Sequence, residues 1–359
     1  MSRATTASIH IDALQHNLAL VRALAPNSKV MAVVKADGYG HGLERVALAL
    51  STADAFGVSA LCEAERLRAA GLSQRIVLLS GFDGPSDFQH LRRLGVDAVV
   101  HHEAQLAMLE ACRESGPPIC VWLKLDTGMH RLGFPLALAR QAYDRLKSLA
   151  HVADEITLMT HFASSDEFGG AQTRAQLDRF ANSTALLAGT ASLSNSAAIL
   201  RWPDAHRDWV RAGGALYGMS VAEGKTGADF GLKPAMTLST RLIAINRVDK
   251  GERIGYSASW ECPEDMEVGV AAIGYGDGYP RGAPAGAPVL VNGVRVPIIG
   301  RVSMDLITLD LRGLPEAQVG DPVVLWGPDL PVEHVAAAVG TISYELTCSI
   351  TRRVRFVGA

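Results

Sequence analysis

Short apolar runs alternate with longer stretches of helical periodicity through the N-terminal part of the chain. The apolar runs lie at residues 30–34, 55–60, 75–80, 97–100, 119–125, 155–161, 191–194 and 208–211. Between them, apolar residues recur at helical spacing in 43–50, 63–70, 85–94, 103–114, 135–149, 169–187 and 197–202. Runs that are apolar on both faces are typical of parallel strands covered by helices. Eight such strand–helix units predict a (β/α)8 barrel.

The pattern changes from about residue 231. Segments such as AMTLSTRLIAINRV, MEVGVAAIGYGDGYPRG and PVLVNGVRVPIIGRV indicate strands separated by Asn-Gly, Asp-Gly and Pro turns. A short helix is expected near 332–339, and a linker rich in glycine and charge near 223–231. We therefore predict a barrel domain over residues 1–228 and a mostly β domain over 229–359. The first few residues could pair with the second domain.

Composition excludes several classes of protein. The chain has 359 residues, a hydrophobic content of 48% and a net charge of −3. It contains no basic stripe for nucleic acid and no apolar run near the roughly eighteen residues of a membrane span. The start, MSRATTASIHID, lacks the apolar core of a secretory signal, and the five cysteines form no CxxC pair. We expect a cytoplasmic protein with reduced thiols, no nucleic-acid or membrane partner and no metal site.

Polar side chains follow the predicted barrel strands at the ends where barrel enzymes place their reactive groups. Only seven of the 34 basic residues are lysines, yet two of them lie in apolar runs. The polar residues at these strand ends are Lys35, Lys124, His161, Asn195, Ser196 and Arg211. We expect them to form a site.

The residue types suit a pyridoxal phosphate (PLP) site, although each also has an ordinary structural role. A lysine at an apolar strand end loses some preference for its charged form, and a neutral amine can condense with the PLP aldehyde. Ser196 at a helix start and Arg211 before two glycines could hold a phosphate. Tyr39 could add a hydroxyl, and His161 could stack on a ring. Equally, such residues snorkel to water, cap a helix or form ion pairs.

The motifs around these residues resemble those of the alanine racemase family, over nearly the whole chain. AVVKADGYGHG is similar to the family's PLP-attachment signature, which implies that Lys35 binds PLP covalently. The other barrel motifs are KLDTGMHRLGF with Lys124 and Arg131, THFASSDE with His161 and Asp166, SNSAA with Asn195 and Ser196, and RAGGALYG with Arg211. In the β domain they are IGYSASW with Tyr256, AIGYGDGYPR with Tyr275 and Arg281, IIGRVSMD with Arg301, Met304 and Asp305, and TISYEL with Ile342 and Tyr344.

The resemblance implies a racemase that interconverts L- and D-alanine with two bases. One base is Lys35, and the other is Tyr256 of the partner chain in a head-to-tail homodimer with shared sites. The implied cofactor-binding residues are Lys35, Tyr39, Arg131, His161, Asn195, Ser196, Arg211, Gly213, Gly214 and Tyr344. Substrate would contact Arg131, Met304 and Tyr275, and the entrance would be lined by Asp166, Arg281, Arg301 and Ile342. Lys124 is implied to carry a carbamate.

Alternatives stay open at this point. A broad-specificity racemase, a non-catalytic PLP-binding protein and a barrel-plus-β decarboxylase share parts of the pattern. The decarboxylases place a glutamate near the ring nitrogen, where this chain has Arg211. The chain also departs from the family's usual ending, Arg-Val-Pro-Arg, since it has RRVRFVG at 352–358, and Gly214 replaces a larger residue found in some members. Supply of D-alanine for a cell wall and alanine catabolism are both compatible with the sequence.

Overall fold

The computed structural model describes residues 4–113, 116–222 and 224–358. Its strands are β1 (Thr6–Ile9), β2 (Lys29–Val33), β3 (Ala55–Val58), β4 (Arg75–Leu78), β5 (Val96–Val100), β6 (Ile119–Asp126), β7 (Phe134–Pro135), β8 (Val152–Met159), β9 (Ala191–Ser192), β10 (Trp209–Ala212), β11 (Met236–Val248), β12 (Arg253–Ile254), β13 (Trp260–Glu261), β14 (Met266–Ala271), β15 (Pro288–Val291), β16 (Val294–Ile299), β17 (Ile307–Asp310), β18 (Pro322–Trp326) and β19 (Arg355–Gly358). The α-helices are Ile11–Leu24, Leu43–Ala49, Leu61–Ala69, Asp87–Leu94, Glu103–Ala111, Ala139–Lys147, Ala171–Thr184, Ser196–Arg201, Val332–Val339 and Ser343–Cys348.

Eight parallel strands close into a barrel, which confirms the predicted fold. Each of β2, β3, β4, β5, β6, β8, β9 and β10 pairs with the next in this order, and β10 pairs with β2. The strands are almost wholly buried because helices cover their outer faces. Strand β9 has two residues rather than the four expected from 191–194, and β10 begins one residue later than predicted.

Side chains fill the barrel interior, so the barrel is a packed core and not a channel. The rings of Trp122 and Trp209 lie 5.5 Å apart, and the Arg75 guanidinium lies over both, at 5.8 and 5.6 Å from their centroids. Arg75 also pairs with the buried Asp97, whose pKa burial raises. The apolar residues of this layer, one from each of seven strands, are Met31, Ala55, Val77, Val99, Trp122, Met159 and Trp209. This layer leaves no room for a ligand in the middle of the barrel, so a binding site is expected at the strand ends.

The second unit is mostly β, as the sequence predicts. Strands β14, β17, β16, β15, β18 and β11 pair antiparallel in this order, and β14 pairs with β11 to close the ring. Strand β1 pairs antiparallel with β11 and adds a strand to this sheet. Residues 4–14 therefore belong to this unit, together with residues 217–220 and 224–358. The last strand, β19, pairs in parallel with β1 without the family's proline. Strands β12 and β13 form a separate hairpin.

Two further features bear on the composition arguments. The five cysteines, all within the described residues, are free thiols. In the same part of the chain, no helix combines the length and the apolar character that crossing a bilayer requires.

Candidate active site

Lys35 lies two positions after the end of β2 and opens a turn of unusual backbone conformation. The next four residues, Ala36, Asp37, Gly38 and Tyr39, have φ angles of 54°, 54°, 63° and 52°. This left-handed conformation costs about 1–2 kcal/mol per residue for amino acids other than glycine. Strained backbone of this kind concentrates at functional sites, where surrounding contacts hold it.

The turn brings the Tyr39 side chain to the segment that follows β10. A Cβ atom at Gly213 would lie 2.7 Å from the Tyr39 hydroxyl oxygen, so a side chain at position 213 would displace the tyrosine. The Ser196 hydroxyl oxygen accepts hydrogen bonds from the backbone N–H of Gly213 at 2.9 Å and of Ala215 at 3.2 Å. Two hydroxyls and the buried backbone around Gly214 therefore converge and form a small polar cradle.

Asn195 fixes one wall of this cradle. It is the N-cap of the helix Ser196–Arg201, and its Oδ1 accepts from the backbone N–H of Ala198 at 3.0 Å. The same oxygen accepts from the Ser165 hydroxyl at 2.8 Å. Asparagine is a favoured N-cap because its side chain satisfies an N–H group that the helix leaves unpaired. This local preference sets the position of Ser196.

Arg211, in β10, is 4% exposed and is held by four acceptors. Its Nη1 donates to Ser192 Oγ at 2.8 Å, and its Nη2 donates to the carbonyl oxygens of Thr160 at 2.8 Å and Leu193 at 3.1 Å. Nη2 also donates to Nδ1 of His161 at 3.2 Å. Burial lowers the pKa of Arg211 to about 9, so the guanidinium keeps its charge at neutral pH.

His161 is held in its neutral form. Its Nδ1 accepts from Arg211 and therefore carries no proton. Burial lowers the pKa of His161 well below its ordinary value, and the positive charges of Arg211 and Lys124 lower it further. A neutral imidazole is therefore present beside a permanent cation.

Lys124 is a buried amine with a lowered pKa. It lies in β6 and is 6% exposed. Burial, followed by the charges of Arg211, Arg131 and Lys35, lowers the pKa of Lys124 to about 8. Because three other cations act on Lys124 through their charges, the four cationic side chains of the barrel must lie near one another, although they come from separate segments of the chain.

Arg131 belongs to the loop that follows β6. Asp126 Oδ1 accepts from the backbone N–H groups of residues 128–130 at 2.9–3.1 Å, which folds the loop back on the strand end. Arg131 itself is exposed, yet its charge acts on Lys124. Asp166, the remaining barrel residue of the prediction, lies exposed in the loop between β8 and the helix Ala171–Thr184.

The β unit carries a second group of predicted residues, and most of them are exposed. Tyr256 lies in the turn between β12 and β13 and is 66% exposed. Backbone hydrogen bonds join the loop that carries Tyr275 to the loop that carries Met304. The Tyr275 N–H donates to the Ser303 carbonyl at 3.1 Å, and the Gly276 N–H donates to the Met304 carbonyl at 2.9 Å. Arg281 lies over the Tyr275 ring at 6.0 Å.

The remaining residues of this group lie on other segments of the β unit. Arg301 follows β16, and its backbone nitrogen lies 3.3 Å from where a Cβ of Gly255 would be, next to Tyr256. Ile342 is 62% exposed, and the half-buried Tyr344 lies in the helix Ser343–Cys348 that follows it. The predicted residues thus fall into two groups, one in each unit. In the β unit, the segments of Tyr256 and Arg301 lie close together, and so do those of Tyr275 and Met304.

Sequence analysis missed residues that hold the barrel group in place. Gln176 is fully buried in the helix Ala171–Thr184. Its Nε2 donates to Thr127 Oγ1 at 3.0 Å and to the His161 carbonyl at 3.0 Å, which ties together the segments after β6 and β8. A glutamine on the buried face of a helix was the available signal, because buried amides need hydrogen-bond partners.

Comparisons with known proteins identify the family of the chain. The family model for the alanine racemase N-terminal domain matches residues 9–221, and the model for the C-terminal domain matches residues 235–357. Alanine racemases of Nitrosococcus oceani and Shewanella loihica are 55% and 53% identical over 350 and 348 residues, with 97% of each chain covered.

Solved structures give the same result. The biosynthetic alanine racemase of Pseudomonas aeruginosa superposes with a TM-score of 0.96 at 44% identity and 99% coverage of both chains. The alanine racemase of Acinetobacter baumannii superposes with a TM-score of 0.93 at 36% identity, covering 99% of this chain and 100% of that one. The chain therefore belongs to the alanine racemase family and is an isomerase of that family.

Proposed function

We propose that the protein interconverts L- and D-alanine with PLP as its cofactor, and that Lys35 and Tyr256 move the α-proton. Arg211 is the observation that carries the proposal. It is buried at a strand end of the barrel, it is charged at neutral pH, and four acceptors fix its orientation. A permanent cation at this position suits a racemase and does not suit a decarboxylase that needs a carboxylate there.

The barrel residues fit PLP. Lys35 would attach it, and the cradle formed by Tyr39, Ser196 and Gly213 would hold its phosphate. A phosphate binds to hydroxyl and backbone N–H donors, and a glycine lets the backbone approach it closely. Neutral His161 would face the ring. Gly214 and Asn195 would shape the cradle and Arg131 would bind the phenolic oxygen, and the family resemblance assigns Tyr344 to the phosphate.

Arg211 would face the ring nitrogen. A guanidinium that keeps its proton donates to that nitrogen and leaves it unprotonated. This limits the return of a proton to the wrong carbon, which would convert alanine into a keto acid. The role of Arg211 is therefore to keep the reaction a racemisation.

Two bases on opposite faces would invert the α-carbon. When bound, PLP withdraws electrons from an attached amino acid and makes its α-hydrogen acidic. Lys35 Nζ would accept or return that proton on one face, and the Tyr256 hydroxyl of a partner subunit would do so on the other. The resemblance assigns the lysine to the D-enantiomer and the tyrosine to the L-enantiomer.

We propose that Lys124 carries a carbamate. A pKa of about 8 leaves about a tenth of the side chains neutral at pH 7, and CO2 reacts with the neutral amine. The amine, which has already lost one proton from its ammonium form, attacks the carbon of CO2: an N–C bond forms, one C=O bond opens to give a carboxylate, and a second proton leaves the nitrogen. The charge at position 124 therefore changes from positive to negative. The product would form an ion pair with Arg131 and relieve the repulsion among the buried cations. A 13C signal from labelled bicarbonate, absent in Lys124→Met, would test it.

The exposed residues of the β unit would complete the site of a partner subunit. Tyr275 and Met304, whose loops are hydrogen-bonded to each other, would bound a pocket small enough to favour alanine and to admit serine weakly. The entrance would be lined by Asp166, Arg281, Arg301 and Ile342. Such an arrangement gives a homodimer in which each chain gives and receives the same surface.

The proposal is tested by a coupled assay on the purified protein with L- and D-alanine, serine and lysine. Racemisation of alanine, with weak activity on serine and none on lysine, is the expected result. The protein should also be yellow and lose this colour with borohydride, which reduces the bond between PLP and Lys35. A protein that takes up no PLP, or that racemises lysine as fast as alanine, contradicts the proposal.

A further inference from the structure

Two side chains of one helix form hydrogen bonds with the left-handed turn that follows Lys35. Arg66, in the helix Leu61–Ala69, donates through Nη2 to Asp37 Oδ1 at 2.7 Å. The same guanidinium donates to both oxygens of Glu44, each at 2.7 Å. Glu44 belongs to the helix Leu43–Ala49 that follows the turn. Arg66 therefore joins the strained turn to the helix after it.

A second side chain of the same helix holds the start of the turn. Glu63 Oε1 accepts from the backbone N–H of Ala36 at 2.7 Å. Its Oε2 accepts from the backbone N–H groups of Ser59 and Ala60 at 2.9 and 3.2 Å, at the beginning of its own helix. Glu63 thus ties the first left-handed residue to the N-terminus of a neighbouring helix. Asp37 is further fixed because Oδ1 also accepts from the Leu43 N–H at 3.2 Å.

These contacts fall on the residues that are strained. Ala36 and Asp37 both have Cβ atoms and both have φ of 54°, a conformation that an isolated chain avoids. Such a conformation persists only where surrounding structure determines it. Lys35 immediately precedes these residues, and Tyr39 is the last residue of the turn. A turn that relaxed would move both side chains.

We propose that Glu63 and Arg66 are positioning residues, which hold the left-handed turn in place so that Lys35 and Tyr39 are ready to bind PLP. The inference rests on the proposed function, since it assigns these two residues to the cofactor site. Because the ion pairs of Arg66 are about half exposed, dissolved salt should weaken them. Affinity for PLP should therefore depend on ionic strength through Arg66.

The experiment measures the dissociation constant for PLP of the apo protein, by absorbance, in a double-mutant cycle of Arg66→Met and Ala36→Gly. Arg66→Met should weaken binding about fivefold, the effect of losing two exposed ion pairs. Glycine adopts the left-handed conformation readily, so in the Ala36→Gly background the same change should cost less than about twofold. Raising salt to about 1 M should weaken PLP binding by the wild-type protein more than by Arg66→Met, so that the difference between the two nearly disappears.

Arg93→Met is the matched control, because Arg93 pairs with Glu65 of the same helix at 2.8 Å and does not contact the turn. It should bind PLP within about twofold of wild type. Urea unfolding of each apo protein checks that the variants are folded. Equal affinities of wild type and Arg66→Met, an equal loss in Arg93→Met, or no rescue by Ala36→Gly would overturn this inference alone. Wild-type protein that binds no PLP would overturn the proposed function and this inference together.

Discussion

The two groups of site residues differ most in how completely their own chain encloses them. In the barrel, Lys124 and Arg211 are almost fully buried, and neighbouring charges and burial set their protonation. In the β unit, Tyr256 is 66% exposed and Met304 is 52% exposed. The barrel residues therefore have their chemistry tuned within one chain. The β-unit residues are presented at a surface, as expected if they complete a site on another subunit.

The largest effect on activity should come from mixing subunits that lack the barrel base with subunits that lack the β-unit base. Lys35→Ala and Tyr256→Phe should each lower activity by about a thousandfold, because each removes one of the two bases. Co-refolded in equal amounts, about half of the dimers should be mixed, and each mixed dimer would have one site with both bases intact. Activity should recover to roughly a quarter of wild type. Either variant refolded by itself should recover nothing. If subunits exchange and no activity returns, each chain uses its own Tyr256 and the comparison between the groups fails.

In the barrel group, the burial of Lys124 predicts that the stability of the protein depends on pH. The pKa of Lys124 is about 8 in the folded protein and 10.5 in the unfolded chain. Between these values the unfolded state binds more protons, so the free energy of unfolding should rise with pH from 8 to 10.5, by at most about 3 kcal/mol. Below pH 8 the cost of burying the charge is present in full.

Urea unfolding of the apo protein without CO2 measures this rise. Lys124→Met should lose the part of the rise that begins near pH 8 and keep only the part above pH 9 that the lowered pKa of Arg211 contributes. Lys250→Met, which removes an exposed lysine, should retain the full rise. Parallel curves for wild type and Lys124→Met would show that the folded protein leaves Lys124 with the pKa of a solvated amine.

Tyr344 tests whether the β unit shapes the substrate pocket. Tyr344→Ala should admit larger amino acids and weaken PLP binding about tenfold, because both the ring and the hydroxyl are lost. Tyr344→Phe should weaken PLP binding and leave specificity unchanged, since it removes the hydroxyl alone. Steady-state rates on alanine and larger amino acids, with PLP titrations, separate these effects. If Tyr344→Ala matches wild type in both, Tyr344 does not belong to the site.

The smallest effect concerns the entrance. Arg301→Gln should lower kcat/KM about fivefold and leave kcat unchanged, because a charged group at the entrance attracts and orients the substrate. The loss should shrink as ionic strength rises. Arg295→Gln, at another exposed arginine of the same unit, is the control and should behave as wild type. A fall in kcat with KM unchanged would place Arg301 in the chemical step.

The backbone of the barrel could be predicted because each strand and helix is a local pattern. Runs buried on both faces predict strands, and strand β6 is Ile119–Asp126 where the run 119–125 predicts it. Short elements were predicted less well. Strand β9 has two residues, and β7 (Phe134–Pro135) lies where the sequence predicts a loop and the start of a helix. In such short elements, pairing with neighbouring strands decides the length.

By itself, the sequence determined the types of residue at the strand ends and, through its motifs, the family. Lys35, Arg211 and Tyr256 could be named without coordinates. Only the tertiary structure decided what surrounds them. The acceptors of Arg211 include residues 50 and 51 positions away, and the contact between Arg66 and Asp37 spans 29. Such contacts exist only after the barrel closes. For the same reason the pKa of Lys124 depends on burial and on distant charges, which no local pattern encodes.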